Sequence, residues 1–190
     1  LPELELVYGL ERQFVVNHLG HFLLVNQLLE SVSKAKRGRV VMVSSRAHRM
    51  APASGIDFDN LDGSVSYTPW EAYGRSKLAN GLFAAELARR MSGTNVTANS
   101  LHPGVIKTNL ARHLDRVIDE SRFDKSIPQG AATQCYVAAH PIPAPISGQY
   151  FVDCNPARAS DLMYDEALAG KLWSVSEELI SRHGGMAPAA

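Results

Sequence analysis

Cysteine is scarce in this 190-residue chain: Cys135 and Cys154 have neither metal-motif spacing nor the density of a disulfide scaffold. They read as free thiols of a reducing compartment, so the expectation is a cytoplasmic protein without a metal site. Long apolar runs are missing too. No stretch approaches the ~18 residues that cross a bilayer, and the first residues are not signal-like. Net charge is lacking: 19 basic residues face 19 acidic ones, and the longest basic run is Lys34-Ala35-Lys36-Arg37. Nucleic acid and acidic membrane surfaces are therefore poor partners. Finally, among 14 glycines no two are separated by a single residue, so no G-x-G turn can be written.

What is present belongs to an ordinary globular domain, with 45% hydrophobic and 20% charged residues. The length suits one domain with a sizeable core. The chain starts on Leu1 and enters a helical pattern almost at once, which reads as part of a longer protein. Phe14, Val15, Phe22, Val25, Leu28 and Leu29 predict a helix from Glu11 to about Ser33, interrupted by Asn17, His18 and His21. Asn17 is expected to face inward, where an amide must find partners. Arg39-Val40-Val41-Met42-Val43 reads as a strand covered on both faces, ending in Ser44-Ser45. Val96 to Leu101 and Gly148 to Val152 read as two more strands. Helices are expected over 110–120, 127–140 and 165–181, with a mobile tail at 183–190. Residues 46–69 form a long polar loop in which Arg46, His48 and Arg49 read most simply as a solvated rim, the competing reading being that they border a pocket mouth.

The chemistry concentrates in Tyr73-Gly74-Arg75-Ser76-Lys77, near the start of a helix predicted from Trp70 to about Met91. Tyr73 and Lys77 are four residues apart and so share a helix face. An ammonium beside a phenol favours the phenolate, which primes a tyrosine for proton transfer. An isolated pair of this kind is usually a solvated helix face. Here it stands in company: an inward Asn17 before it, Ser45 at a strand end, and a Pro103-Gly104-Val105 turn at the end of the next strand. The carboxyl ends of parallel strands are where open α/β sheets place their ligands.

Asn17, Ser45, Tyr73 and Lys77, with Val43-Ser44-Ser45 before and Pro103-Gly104-Val105-Ile106-Lys107-Thr108 after, resemble the short-chain dehydrogenase/reductases. The stretches Asn17 to Leu24, Ile56 to Leu61 and Tyr73 to Asn80 are similar to the retinol dehydrogenase-like and WW-domain oxidoreductase-like branch. The resemblance runs over roughly residues 8 to 180. It implies a three-layer parallel-sheet Rossmann-like α/β fold, of which this chain is the carboxyl-terminal part. It also implies an NAD(P)-dependent exchange of alcohol and carbonyl on a small lipophilic substrate. Tyr73 would then be the general acid or base, and Lys77 would lower its pKa and hold the nicotinamide ribose. Ser45 would bind the substrate oxygen, and Asn17 would fix a relay water. Val43, Pro103, Gly104 and Val105 would shape the nicotinamide pocket, with Thr108 reaching the carboxamide or phosphate. NADP(H) is slightly favoured by branch resemblance, and a homo-oligomer is compatible with it.

The missing G-x-G departs from the pattern, because pyrophosphate needs close backbone approach at a helix N-terminus. The family's first strands and its NAD-or-NADP selector would precede Leu1. The Val40–Val43 strand would then lie at an outer edge. The 190 residues alone are expected to be marginally stable and to bind dinucleotide weakly. The competing reading is a non-catalytic scaffold that keeps the fold for protein interaction.

Overall fold

The computed structural model describes residues 2–107 and 123–183. Thr108, the helix expected over 110–120 and all but the first residue of the expected tail lie outside the described residues. The chain opens with a hairpin of β1 (Leu6–Val7) and β2 (Leu10–Glu11), joined through Tyr8 and Gly9 at φ 54° and 75°. Positive φ at both central residues is the two-residue turn that matches strand twist. Glu11 then accepts the Gln13 and Phe14 amides at 2.8 Å each, capping α1 (Arg12–Phe14).

The expected first long helix is not uniform. Between α1 and α2 (Gly20–Lys34) lies a π-helical turn, Val15–Leu19, where the Gly20 amide reaches back five residues to the Val15 carbonyl. Such a turn inserts an extra residue per turn and re-aims the side chains it carries. Asn17 sits at its middle.

The main sheet has the order β3 (Gly38–Val43), β4 (Val96–His102), β5 (Tyr150–Val152) and β6 (Asn155–Pro156). The first three are parallel, with Gly38 opposite Val96, Val43 opposite Leu101, and Ser100 opposite Tyr150. β6 turns back antiparallel through Asp153 and Cys154, both at positive φ. Periodicity does not reveal β1, β2 or β6, because each has only two residues.

Helices cover both faces. On one, Phe22 of α2, Phe83, Ala84 and Leu87 of α3 (Pro69–Arg90), and Trp173 and Ile180 of α5 (Glu166–Arg182) bury Val40, Met42 and Ala98. On the other, Val137 of α4 (Ile127–Ala139) packs on Leu101 and Phe151. Each fully buried Leu or Phe contributes about 1.5–3 kcal/mol of apolar transfer. A reciprocal Ser126–Gln129 capping box starts α4. Among the described residues β3 pairs with β4 only, and Val43 is exposed.

Candidate active site

The site is built at the carboxyl ends of β3 and β4 and on the first turns of α3. Beyond Val43 the backbone turns at Ser44, whose hydroxyl donates to the Lys77 carbonyl at 2.6 Å. That bond fixes the strand end to α3. Ser45 is extended, and its hydroxyl accepts the Ala47 amide at 3.1 Å while capping the turn Arg46–Met50. Gly74 permits this turn to press on α3, because an added Cβ would lie 2.7 Å from the Ala47 carbonyl oxygen. The same turn brings the Ser45 side chain close to that of Tyr73.

His48 corrects the solvated-rim expectation. It is fully buried, its Nδ1 donates to the Ser45 carbonyl at 2.6 Å, and its Nε2 accepts the Ser160 amide at 3.0 Å. These two bonds require the neutral imidazole with Nδ1 protonated, and burial lowers its pKa accordingly. The ring also meets Tyr150 edge-on at 5.1 Å. A lone His in a polar loop carries no periodic signal, so the sequence could not show that it backs Ser45.

Lys77 lies beside Tyr73 as their spacing requires, with its ammonium 5.7 Å from the phenol centroid. That ammonium donates to the Val43 carbonyl at 3.2 Å, and the Asn80 amide reaches the same oxygen at 3.3 Å. The expected lowering of the Tyr73 pKa is not what this geometry gives. Burial raises it, against a smaller opposing effect of the Ser45 hydrogen bond. Burial likewise lowers Lys77. Removing water penalises both charged forms, and the ammonium is directed to a carbonyl instead of the phenol oxygen.

Asn17 faces inward, half-buried, and its Nδ2 donates to the Ser76 hydroxyl at 3.0 Å. Ser76 in turn donates to the Tyr73 carbonyl at 2.8 Å. The π-helical turn is thus tied to the helix that carries Tyr73. His21 Nδ1 meets the Asn17 carbonyl at 2.9 Å. Ser44, Ser76 and Asn80 are positioning groups that spacing alone does not single out.

Pro103, Gly104 and Val105 leave β4 toward residues 123–126. The Val105 amide donates to Asp124 at 2.7 Å, and Asp124 returns its own amide to the Val105 carbonyl at 3.0 Å. Arg46 approaches Asp124 at 3.5 Å, linking this turn to the one after Ser45. Gly104 has φ 104°, which only glycine adopts without strain. The space beside it is filled by Lys125, whose Cδ would lie 2.5 Å from an added Cβ and whose ammonium pairs with Asp153. Gly104 therefore serves its own backbone and Lys125 packing. His102, buried just before this turn, has its pKa pushed to about 4, first by burial and then by Arg46.

Known proteins resemble this chain over most of its length. The model for short chain dehydrogenases matches residues 60–118. Chloroplastic short-chain dehydrogenase TIC 32 A of Brassica napus is 45% identical over 184 residues, covering 90% of this chain and 58% of that protein. The chain belongs to the short-chain dehydrogenase family. Within the family it is similar to human retinol dehydrogenase 14, at 42% identity over 187 residues, 94% of this chain and 55% of that protein. A solved structure from Mycobacterium paratuberculosis superposes with a TM-score of 0.71 at 33% identity, covering 94% of this chain and 62% of that one. The chain spans a little over half the length of these curated relatives. The family's α/β architecture is the one described above. Among the described residues no helix is long and apolar enough to cross a membrane.

Proposed function

We propose that this chain carries the catalytic edge of an NAD(P)-dependent oxidoreductase that interconverts an alcohol and a carbonyl on a small lipophilic substrate. The observation that supports it is the gathering of Tyr73, Lys77 and Ser45 where β3 ends beside β4, with the Lys77 ammonium 5.7 Å from the phenol centroid and the Ser45 side chain close to Tyr73.

The residues fit one end of a dinucleotide. Tyr73 and Lys77 offer a hydroxyl and an ammonium on one helix face for ribose hydroxyls; Val43, whose carbonyl holds the Lys77 ammonium, would border the ring with Pro103 and Val105. Asn17 would act through Ser76, and Thr108 stays with the site on its sequence position. The pyrophosphate end has no G-x-G cradle in this sequence. When bound, the nicotinamide supplies or accepts hydride at the substrate carbon. Tyr73, kept protonated by burial, gives its proton to the carbonyl oxygen in reduction. Ser45 donates a hydrogen bond to that oxygen as charge develops on it. In oxidation Tyr73 takes the proton back, a step that requires the Lys77 ammonium to swing from the Val43 carbonyl toward the phenol. We favour NADP(H) from the branch likeness, and a reducing compartment such as the cytoplasm from the free thiols.

The deciding experiment is NAD(P)H-dependent reduction of aldehydes by the wild-type protein and by Tyr73→Phe. Loss of the general acid is expected to lower kcat by about 10²–10⁴-fold with the circular dichroism unchanged. A folded Tyr73→Phe protein with the full rate overturns the assignment. The 190 residues alone are expected to bind NADPH weakly. Tight saturable binding that is lost in Tyr73→Phe, Lys77→Ala would show that the glycine turn is dispensable.

A further inference from the structure

Trp70 begins a piece of apolar surface that the proton chemistry above does not use. It stands one turn before Tyr73 on α3, edge-to-face with the phenol at a centroid distance of 6.3 Å and an interplanar angle of 78°. Even so, 48% of Trp70 is exposed, where an indole is ordinarily well buried. Gly74 lies four residues further and so on the same helix face. An added Cβ there would lie 2.8 Å from the Met50 backbone carbon, so the Arg46–Met50 turn meets α3 one turn from Trp70. Met50 leaves that contact 44% exposed. An exposed indole thus packs against the Tyr73 ring, and an exposed Met50 stands on the turn that meets the next residue, Gly74. Among the described residues no other large exposed apolar side chain belongs to α3.

We propose that Trp70 and Met50 form the wall that receives the body of the substrate, and that this wall selects flat, conjugated carbonyl compounds over puckered ones. The proposal rests on the oxidoreductase reading of Tyr73. A carbonyl conjugated to an aromatic ring is coplanar with it, so its oxygen can approach Tyr73 while its body lies along the indole. A saturated ring of similar volume is puckered and touches the same indole only in part. The indole quadrupole rewards offset or edge contact with a second ring, and the unbranched thioether of Met50 adapts to the far side. The chain's other tryptophan, Trp173, is buried and donates to Glu177 at 2.7 Å, so it is removed from this surface.

The test compares 2-naphthaldehyde with cyclohexanecarbaldehyde as substrates of the NADPH-supplied protein, in wild type, Trp70→Ala, Trp70→Phe and Met50→Ala. Trp70→Ala is expected to reduce kcat/KM for 2-naphthaldehyde about tenfold more than for cyclohexanecarbaldehyde, the upper end of what an aromatic pair contributes. The change is expected in KM. Trp70→Phe should restore most of the preference, and Met50→Ala should lower it by a smaller factor. In parallel, 2-naphthaldehyde should quench wild-type tryptophan fluorescence but not that of Trp70→Ala. Equal losses on both aldehydes, no loss on either, or quenching that persists in Trp70→Ala overturns the proposal. If wild type reduces neither aldehyde but the Trp70-dependent quenching is seen, the wall stands and the oxidoreductase reading fails. Reduction of both without dependence on Trp70 means that the oxidoreductase reading stands and the wall fails.

Discussion

The long helix that carries Tyr73 and Lys77, α3, and the one that follows the Asn17 turn, α2, are embedded very differently. α3 buries residue after residue from Ala72 to Leu87, including Leu78, Ala79, Leu82 and Phe83. Small side chains make this possible: Gly74 admits the turn after Ser45, and Gly81 admits Met163. α2 buries Phe22 alone, while Leu24 and Leu28 lie open to solvent. Tyr73 and Lys77 stand on a helix locked by neighbours on several sides. Asn17 lies in the π-helical turn that leads into α2 and is held by its bond to Ser76. Position at the site is secured by α3, and the α2 side follows it.

Substitutions can break this contrast, and the largest effect is expected in the α3 core. Leu82→Ala removes a fully buried side chain and should cost about 2–5 kcal/mol in urea unfolding, whereas Leu28→Ala on α2 should stay within about 0.5 kcal/mol. Equal costs would mean that α2 is as firmly packed as α3. Next comes Gly74→Ala, whose new methyl meets backbone of the Arg46–Met50 turn and cannot be relieved by a rotamer change. It should cost about 1–3 kcal/mol and separate Ser45 from Tyr73, lowering kcat as well. Gly81→Ala meets only the flexible Met163 side chain and should cost less, so a larger loss than Gly74→Ala would refute the backbone argument.

A smaller effect concerns acid. His18, buried among Phe14, Phe22 and Phe83, has its pKa lowered to about 3, chiefly by burial. The unfolded chain takes up a proton near 6.5 that the folded chain refuses until about 3, so stability is lost as pH falls through that interval. The loss is of order 1.4 kcal/mol per pH unit once the unfolded imidazole is protonated. His102, lowered to about 4, acts with the same sign over a narrower range. Replacing His18 by Gln should remove about one proton from the slope of stability against pH between about 6 and 4, measured by urea titration. An unchanged slope would assign the acid limb elsewhere. The smallest effect is expected from Leu24→Gln with Leu28→Gln, which should leave unfolding within about 0.5 kcal/mol.

Much of the site is legible in the sequence because its spacing is helical: a Tyr and a Lys four apart must share a face once α3 forms. The parallel strands are legible from continuous β-branched runs, and Ser45 from its place at the end of one. His48 reads as rim because nothing in a polar loop distinguishes a buried imidazole from a solvated one. Ser76 and Asn80 are hidden for a different reason. Their neighbours are polar or small, and their partners, Asn17 and the Val43 carbonyl, are distant in sequence. The Tyr73 pKa moves against the expected direction because helix spacing supplies the lysine but not the burial.

By itself the sequence determined where α2 to α5 and the parallel strands β3 to β5 form and which chemical groups they carry, since periodicity, capping and strand composition are local properties. It also determined that no glycine-rich phosphate turn lies within these residues. Only the tertiary structure decided that Lys77 turns to the Val43 carbonyl, that His48 buttresses Ser45, and that Lys125 fills the space beside Gly104. Those outcomes depend on which distant surfaces meet and how much water is excluded between them. Desolvation and side-chain direction are set by that packing, and no local pattern encodes them.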